Sequence, residues 1–225
     1  MMPTRFLYKR SGIAGALLLT FALLAACTKH EASRDQGVYM LLDTSGTYTA
    51  ELEHAQRLIN YALTRLQPGD TFAVARIDTG SFSEKDIIQK RTFDIRPSSA
   101  NAQKREFRDQ IDQFIEKVKP SRYTDISGGV LQAIEYLNET GAGRKTILVF
   151  SDLKEELPEG YVRDIPLQLN GFNVVAVNVT KLRSDNVDPR EYIDRLDAWQ
   201  QRVEEGGGKW TVINDMDRLD PIFSG

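Results

Sequence analysis

Val38-Tyr39-Met40-Leu41-Leu42-Asp43-Thr44-Ser45-Gly46-Thr47 is the stretch whose reading decides the fold. Five consecutive apolar residues bounded by a turn signal read as a strand buried on both faces of a sheet. The strand stops on a carboxylate and two hydroxyls at alternate positions, and an amphipathic helix follows. In open α/β sheets, ligands bind at the carboxyl ends of strands, where this cluster falls. Asp43, Ser45 and Thr47 offer three oxygens from one short loop, a set suited to a hard cation such as Mg²⁺. A purely structural alternative has Asp43 and Ser45 tying up the turn, with Thr47 or Thr49 capping the next helix.

The rest of the chain alternates strand and helix. Leu52, Ala55, Ile59, Ala62 and Leu66 recur at helical spacing, so 49–66 reads as a helix stopped by Pro68-Gly69. Strands are expected at 71–77, at 146–150, at 173–179 and at 209–213. A shorter one is expected near 91–95, ended by Pro97. Phe107, Ile111, Phe114 and Val118 mark a further helix, and Asp125 is placed to cap another, in which Gly128-Gly129 permits close approach to the sheet. Asp188-Pro189-Arg190-Glu191 opens the last helix, whose Tyr192, Leu196, Trp199 and Val203 form a core stripe. Residues 153–171 hold two prolines and weak periodicity and read as loop with at most one short helix. This order gives an α/β fold: one domain with a doubly wound, mostly parallel, Rossmann-like sheet covered on both faces.

Two later places extend the opening motif. Thr124-Asp125 begins a helix after a loop, and Ser151-Asp152 closes the apolar strand 146–150. With these in view, the chain resembles the von Willebrand factor type A domain family over residues 38–213. That family carries Asp-x-Ser-x-Ser after the first strand, a Thr from a later loop and an Asp after the fourth strand. The positions that match, in order, are Asp43, Ser45, Thr47, Thr124 and Asp152, with Thr47 replacing the usual Ser but keeping the hydroxyl. The resemblance implies a divalent-cation site for Mg²⁺, Mn²⁺ or Ca²⁺, in which the Asp residues often act through water. It further implies an open coordination position that a partner protein fills with a carboxylate, so the expected activity is adhesion or scaffolding without chemical turnover. A fold of this family whose metal site has decayed to a structural role is the milder alternative.

An enzyme is the rival reading. Asp43-x-Ser45-x-Thr47 also resembles the first motif of haloacid dehalogenase-type phosphohydrolases, with Asp43 as nucleophile. Those enzymes usually have a second Asp at the Ser45 position, and they need a Lys and a late acidic pair. Lys181 follows the strand 173–179, but Asn214-Asp215 comes only after the last strand. Gly141-Ala142-Gly143-Arg144-Lys145-Thr146 is not a phosphate loop, since it leads into a strand and Arg144 stands before the Lys. No Gly-x-Gly-x-x-Gly or Gly-x-Ser-x-Gly occurs, and His30 and His54 lack ligand-spaced partners.

The first residues read as an address. Arg5, Lys9 and Arg10 precede an uncharged, mostly apolar run from Gly12 to Ala26, short for a membrane span and suited to a signal peptide. Leu24-Ala25-Ala26-Cys27 resembles the lipobox of bacterial lipoproteins, which implies that Cys27 becomes the lipid-modified first residue of the mature protein. Thr28 in place of Asp favours the outer membrane, if the organism has one. Residues 27–36 then form the lipidated cysteine and a polar tether, and 37–225 the folded domain. Cys27 is the only cysteine among 225 residues, so no disulfide forms within the chain. The chain carries 29 Lys+Arg and 32 Asp+Glu. Removing 1–26 takes away three basic residues and no acids, leaving 26 against 32, a net of −6. With no dense basic run, nucleic acid is not an expected partner, and no small-molecule substrate is expected.

Overall fold

The computed structural model describes residues 35–46, 48–215 and 218–223. Six strands form one sheet: β1 (Gln36–Asp43), β2 (Thr71–Ile77), β3 (Ile87–Thr92), β4 (Arg144–Phe150), β5 (Phe172–Val177) and β6 (Lys209–Ile213). Their order is β3-β2-β1-β4-β5-β6, with every neighbouring pair parallel except β2–β3. Among the described residues, five α-helices accompany it: α1 (Leu52–Arg65), α2 (Pro97–Lys117), α3 (Ile126–Glu139), α4 (Arg190–Glu205) and the short α5 (Asp220–Phe223).

Alternation along β1 divides the interior in two. Val38, Met40 and Leu42 pack with α1, α2 and α5 through Leu58, Ile59, Phe107, Ile111 and Phe223. Tyr39 and Leu41 pack on the other face with α3 and α4 through Val130, Ala133, Leu137, Trp199 and Val203. All eight residues of β1 are buried, as a central strand covered on both faces demands. Gly129 of α3 sits so close to β1 that an added Cβ would lie 2.7 Å from Leu41 Cδ2, so the close approach expected of this glycine pair holds here. At Gly128 the same atom would instead meet the Asp125 carboxylate at 2.4 Å.

Two expectations need correction. The edge strand lies at Ile87–Thr92, earlier than 91–95, and runs antiparallel to β2 with a bulge at Val74/Ala75. Pro97 does not close that strand; it is the first residue of α2, where its missing N–H costs nothing. The segment 153–171 is loop, as read from the sequence, without the short helix that reading allowed. It is held instead by side chains at the carboxyl edge of the sheet, described next.

Candidate metal centre

β1 ends on Asp43, 1% exposed, and the chain turns at once. Asp43 Oδ1 accepts the Ser45 N–H at 2.8 Å, and Oδ2 accepts the Ser151 hydroxyl at 2.6 Å. The second bond follows from register: Leu42 is level with Phe150 in the parallel β1–β4 pair, so Asp43 is level with Ser151. The Ser151 Oγ also accepts the Leu153 N–H at 3.0 Å. Sequence reasoning gave Ser151 no role, although a hydroxyl at the end of the neighbouring strand was the signal available.

Asp152, 3% exposed, follows Ser151. Its Oδ1 accepts the Lys154 N–H at 2.9 Å, and its carbonyl accepts from Arg195 Nε at 3.2 Å. Leu153 then takes a left-handed backbone, φ 66°, which costs a non-glycine residue roughly 1–2 kcal/mol. It is fixed from both sides, by Ser151 Oγ at its N–H and by Trp199 Nε1 at its carbonyl, 3.1 Å away. Trp199 therefore does more than fill the core stripe read from the sequence; its indole N–H holds the turn after Asp152.

Thr124, 3% exposed, is tied to the same loop. Its N–H donates to the Glu156 carbonyl at 2.7 Å, and its carbonyl accepts the Glu156 N–H at 3.0 Å. Asp125 caps α3 as the sequence suggested, accepting the Gly128 N–H at 2.8 Å. The same carboxylate, fully buried, accepts the Ser81 N–H at 3.1 Å and pairs with the Arg163 guanidinium, whose side chain is 8% exposed. Glu155 accepts from the Ser127 N–H and hydroxyl at 2.7 and 2.8 Å. Ser121 joins the loops on the other side: its N–H donates to the Thr44 carbonyl at 2.7 Å and its hydroxyl to Asp78 at 2.5 Å. Hydrogen bonds thus link the loops after β1, β2 and β4 with the one before α3.

Asp43 at the end of β1, and Ser45, Thr124 and Asp152 in these linked loops, all lie at the carboxyl edge of the sheet. Thr47 and Cys27 lie outside the described residues, as does His30. His54 Nδ1 sits 3.1 Å from the Glu51 carboxylate on the exposed side of α1. Asn214, weighed as part of a late acidic pair, is engaged through its Oδ1 by the Val179 N–H at 2.8 Å.

Electrostatics set the two carboxylates apart. Burial pushes Asp43 above the ordinary carboxylate range, against the pull of its bonds from Ser151 and Ser45. Burial likewise pushes Asp152 up to about 6; the Asp43 charge adds to this, while the Lys154 N–H bond and the charges of Arg195 and Lys154 oppose it. Two buried carboxylates that repel each other, among neutral hydroxyls, are an arrangement that a hard divalent cation would relieve. Among the described residues no three His, Cys, Asp or Glu side chains group in a metal-holding arrangement. A cation here would therefore need hydroxyl oxygens as well as carboxylates, and those are the residue types present. Asp152 opens into a cleft of about 650 Å³ lined by Gly46, Lys154, Thr180, Lys181, Leu182, Arg183 and Ser184.

No protein-family model and no curated protein matches the chain. Solved structures do. A von Willebrand factor type A protein from Catenulispora acidiphila aligns with a TM-score of 0.50 at 17% identity, over 85% of this chain and 41% of that one. The pilus adhesin SpaC from Lactobacillus rhamnosus GG, in its open conformation, aligns with a TM-score of 0.52 at 8% identity, over 86% of this chain and 29% of that one. The chain thus spans less than half the length of either protein, and at these identities the likeness is one of fold. Strand order, the single antiparallel edge strand and these alignments agree: the chain has the fold of a von Willebrand factor type A domain.

Proposed function

We propose that this chain is a lipid-anchored protein of the bacterial cell envelope whose folded domain, residues 37–225, binds a partner protein through a divalent cation. Asp43, Ser45, Thr47, Thr124 and Asp152 would hold the ion, and Cys27, after a signal peptide at 1–26, would carry the lipid. The observation that carries the reading is the pair of buried, mutually repelling carboxylates at one edge of the sheet, Asp152 opening into a cleft. The ion would supply a positive centre with room for a carboxylate from the partner. This chain's own residues fix the donors: Ser151 and the Ser45 N–H orient Asp43, Arg195 and Lys154 orient the turn at Asp152, and Glu156 holds Thr124. The fold shared with a pilus adhesin supports a binding role without turnover. No helix among the described residues is long and apolar enough to cross a membrane; in this reading the attachment is at Cys27.

Mg²⁺ or Mn²⁺ should raise the melting temperature of the wild-type protein by mass action, and Asp43→Ala should abolish that shift. Calorimetric titration that detects no divalent binding at millimolar cation would leave these residues a structural role only. Cys27→Ser should leave unprocessed precursor without lipid, and normal lipid labelling of that variant would refute the anchor. Metal-dependent turnover across a panel of phosphate esters, lost on Asp43→Asn, would replace the binding reading with the phosphohydrolase one.

A further inference from the structure

The cleft that begins at Asp152 continues over the loop after β5, and its lining is basic. Beyond Asp152 the charged residues there are Lys154, Lys181 and Arg183. Lys154 has a partner, the Glu156 carboxylate at 2.7 Å. Lys181 and Arg183 are exposed, and among the described residues neither lies within ion-pair distance of a carboxylate. The nearby Asp185 feels the Lys181 charge, but Arg195 takes both its oxygens at 2.8 Å and it forms no ion pair with Lys181 or Arg183. Lys181 lies over the Tyr192 ring at 5.7 Å, which steadies its stem and leaves the ammonium able to donate.

We infer that this cleft takes an extended acidic segment of the partner protein, one carboxylate reaching the Asp43–Asp152 centre and further acidic side chains pairing with Lys181 and Arg183. The position of the first carboxylate rests on the metal-dependent reading above; the pairing with Lys181 and Arg183 does not. A volume of about 650 Å³ falls within the ordinary range for ligand clefts, about 300–1,000 Å³. The occupant is a short acidic peptide because the positive charge is local. The whole sequence carries 32 acidic against 29 basic residues, so its overall field repels long polyanions. Anionic membrane surfaces are recognised by clusters of about 4–8 Lys or Arg, more than the cleft supplies.

The test uses the full chain in neutral detergent with fluorescently labelled hexaglutamate, and hexaglutamine as the uncharged control, read by anisotropy at low ionic strength with Mg²⁺ or with chelator. Wild type should bind hexaglutamate and not hexaglutamine. Lys181→Glu with Arg183→Glu should weaken binding about tenfold or more, and the double Gln variant should fall between. The Mg²⁺ shift in melting temperature should persist in both variants, which also shows that they are folded. Equal binding by wild type and the charge-reversed variant would overturn the proposal. So would absence of hexaglutamate binding in a wild type that responds to Mg²⁺, and the metal reading would then stand alone. Binding that depends on Lys181 and Arg183 yet ignores Mg²⁺ would support the cleft while removing the metal. Tighter, variant-sensitive binding to phosphatidylglycerol vesicles or single-stranded DNA would overturn it in favour of those partners.

Discussion

In protein freed of divalent ions by chelator, Asp152→Asn should stabilise the fold at neutral pH. Asp152 titrates at about 6 against an ordinary 3.8, because burial and the Asp43 charge disfavour its ionised form. Two pKa units at about 1.4 kcal/mol each put the cost of holding this charge at ~3 kcal/mol. Asn keeps the shape and an oxygen for the Lys154 N–H, but its own buried amide returns part of that gain, leaving ~1–2 kcal/mol. For a domain of this size each kcal/mol moves the melting temperature by about 2–4 °C. The sign with pH follows from the raised value. Folded protein binds this proton more tightly than unfolded protein, so wild-type stability falls as pH rises from about 4 to about 6 and is flat above. The advantage of the variant should thus grow as pH rises across that window, and near pH 4, where wild-type Asp152 is protonated, the cost of the buried amide should leave the variant the less stable. Thermal unfolding of both proteins in chelator at several pH values measures it; groups remote from Asp152 cancel in the difference, while Asp43, relieved of the neighbouring charge, shifts in the same stabilising direction. A variant less stable than wild type at pH 7, or equally shifted at pH 4, would refute the argument.

Three further substitutions probe the scaffold around the same edge. Gly129→Ala places a methyl 2.7 Å from Leu41 Cδ2, and the overpacking of ~1–3 kcal/mol should outweigh the helical gain of up to about 1 kcal/mol, lowering the denaturation midpoint. Arg163→Met strands the buried Asp125 carboxylate, at a cost of ~3–5 kcal/mol, and should make 153–171 the first site of limited proteolysis; unchanged protection would show that the loop is held elsewhere. Ser151→Ala removes the hydroxyl from Asp43 Oδ2 and should cost ~1.5–3 kcal/mol in chelator, read by urea denaturation at neutral pH.

How far the fold was legible depended on burial. β1, β2 and β4 stand near the middle of the sheet with both faces covered, so their apolar runs announce them. β3 is an antiparallel edge strand whose residues are only half-buried or exposed, and Gln89, Lys90 and Arg91 give it the polarity of a loop. Its true position rests on the apolar pair Ile87 and Ile88, which pack on opposite faces of the sheet. Pro97 misled for a related reason. A residue that cannot extend a strand is also suited to begin a helix, and the polar first turns of α2, where Ala100 alone is buried, hid where the helix marked by Phe107 and Ile111 begins.

The candidate site divides in the same way between what one strand end shows and what only register creates. Asp43, Ser45 and Asp152 could be named because each follows an apolar run, and strand ends of a parallel sheet share an edge. Their chemistry could not be derived from that alone. Asp43 and Ser151 are level and share a face, so their hydroxyl–carboxylate bond requires the β1–β4 register to be right to one residue. Asp152, one position further, would point to the opposite face of a continued strand. It comes within electrostatic range of Asp43 because the ladder stops at Leu42–Phe150 and the chain turns through Leu153 in a left-handed conformation. That turn depends in turn on Trp199 and Arg195, more than forty residues away on α4. Because the two carboxylates meet only where the ladder has ended, their spacing is set by side-chain hydrogen bonds from α4 and Ser151. Substitutions at Trp199 or Arg195 should accordingly alter the site without touching any residue named in its motif.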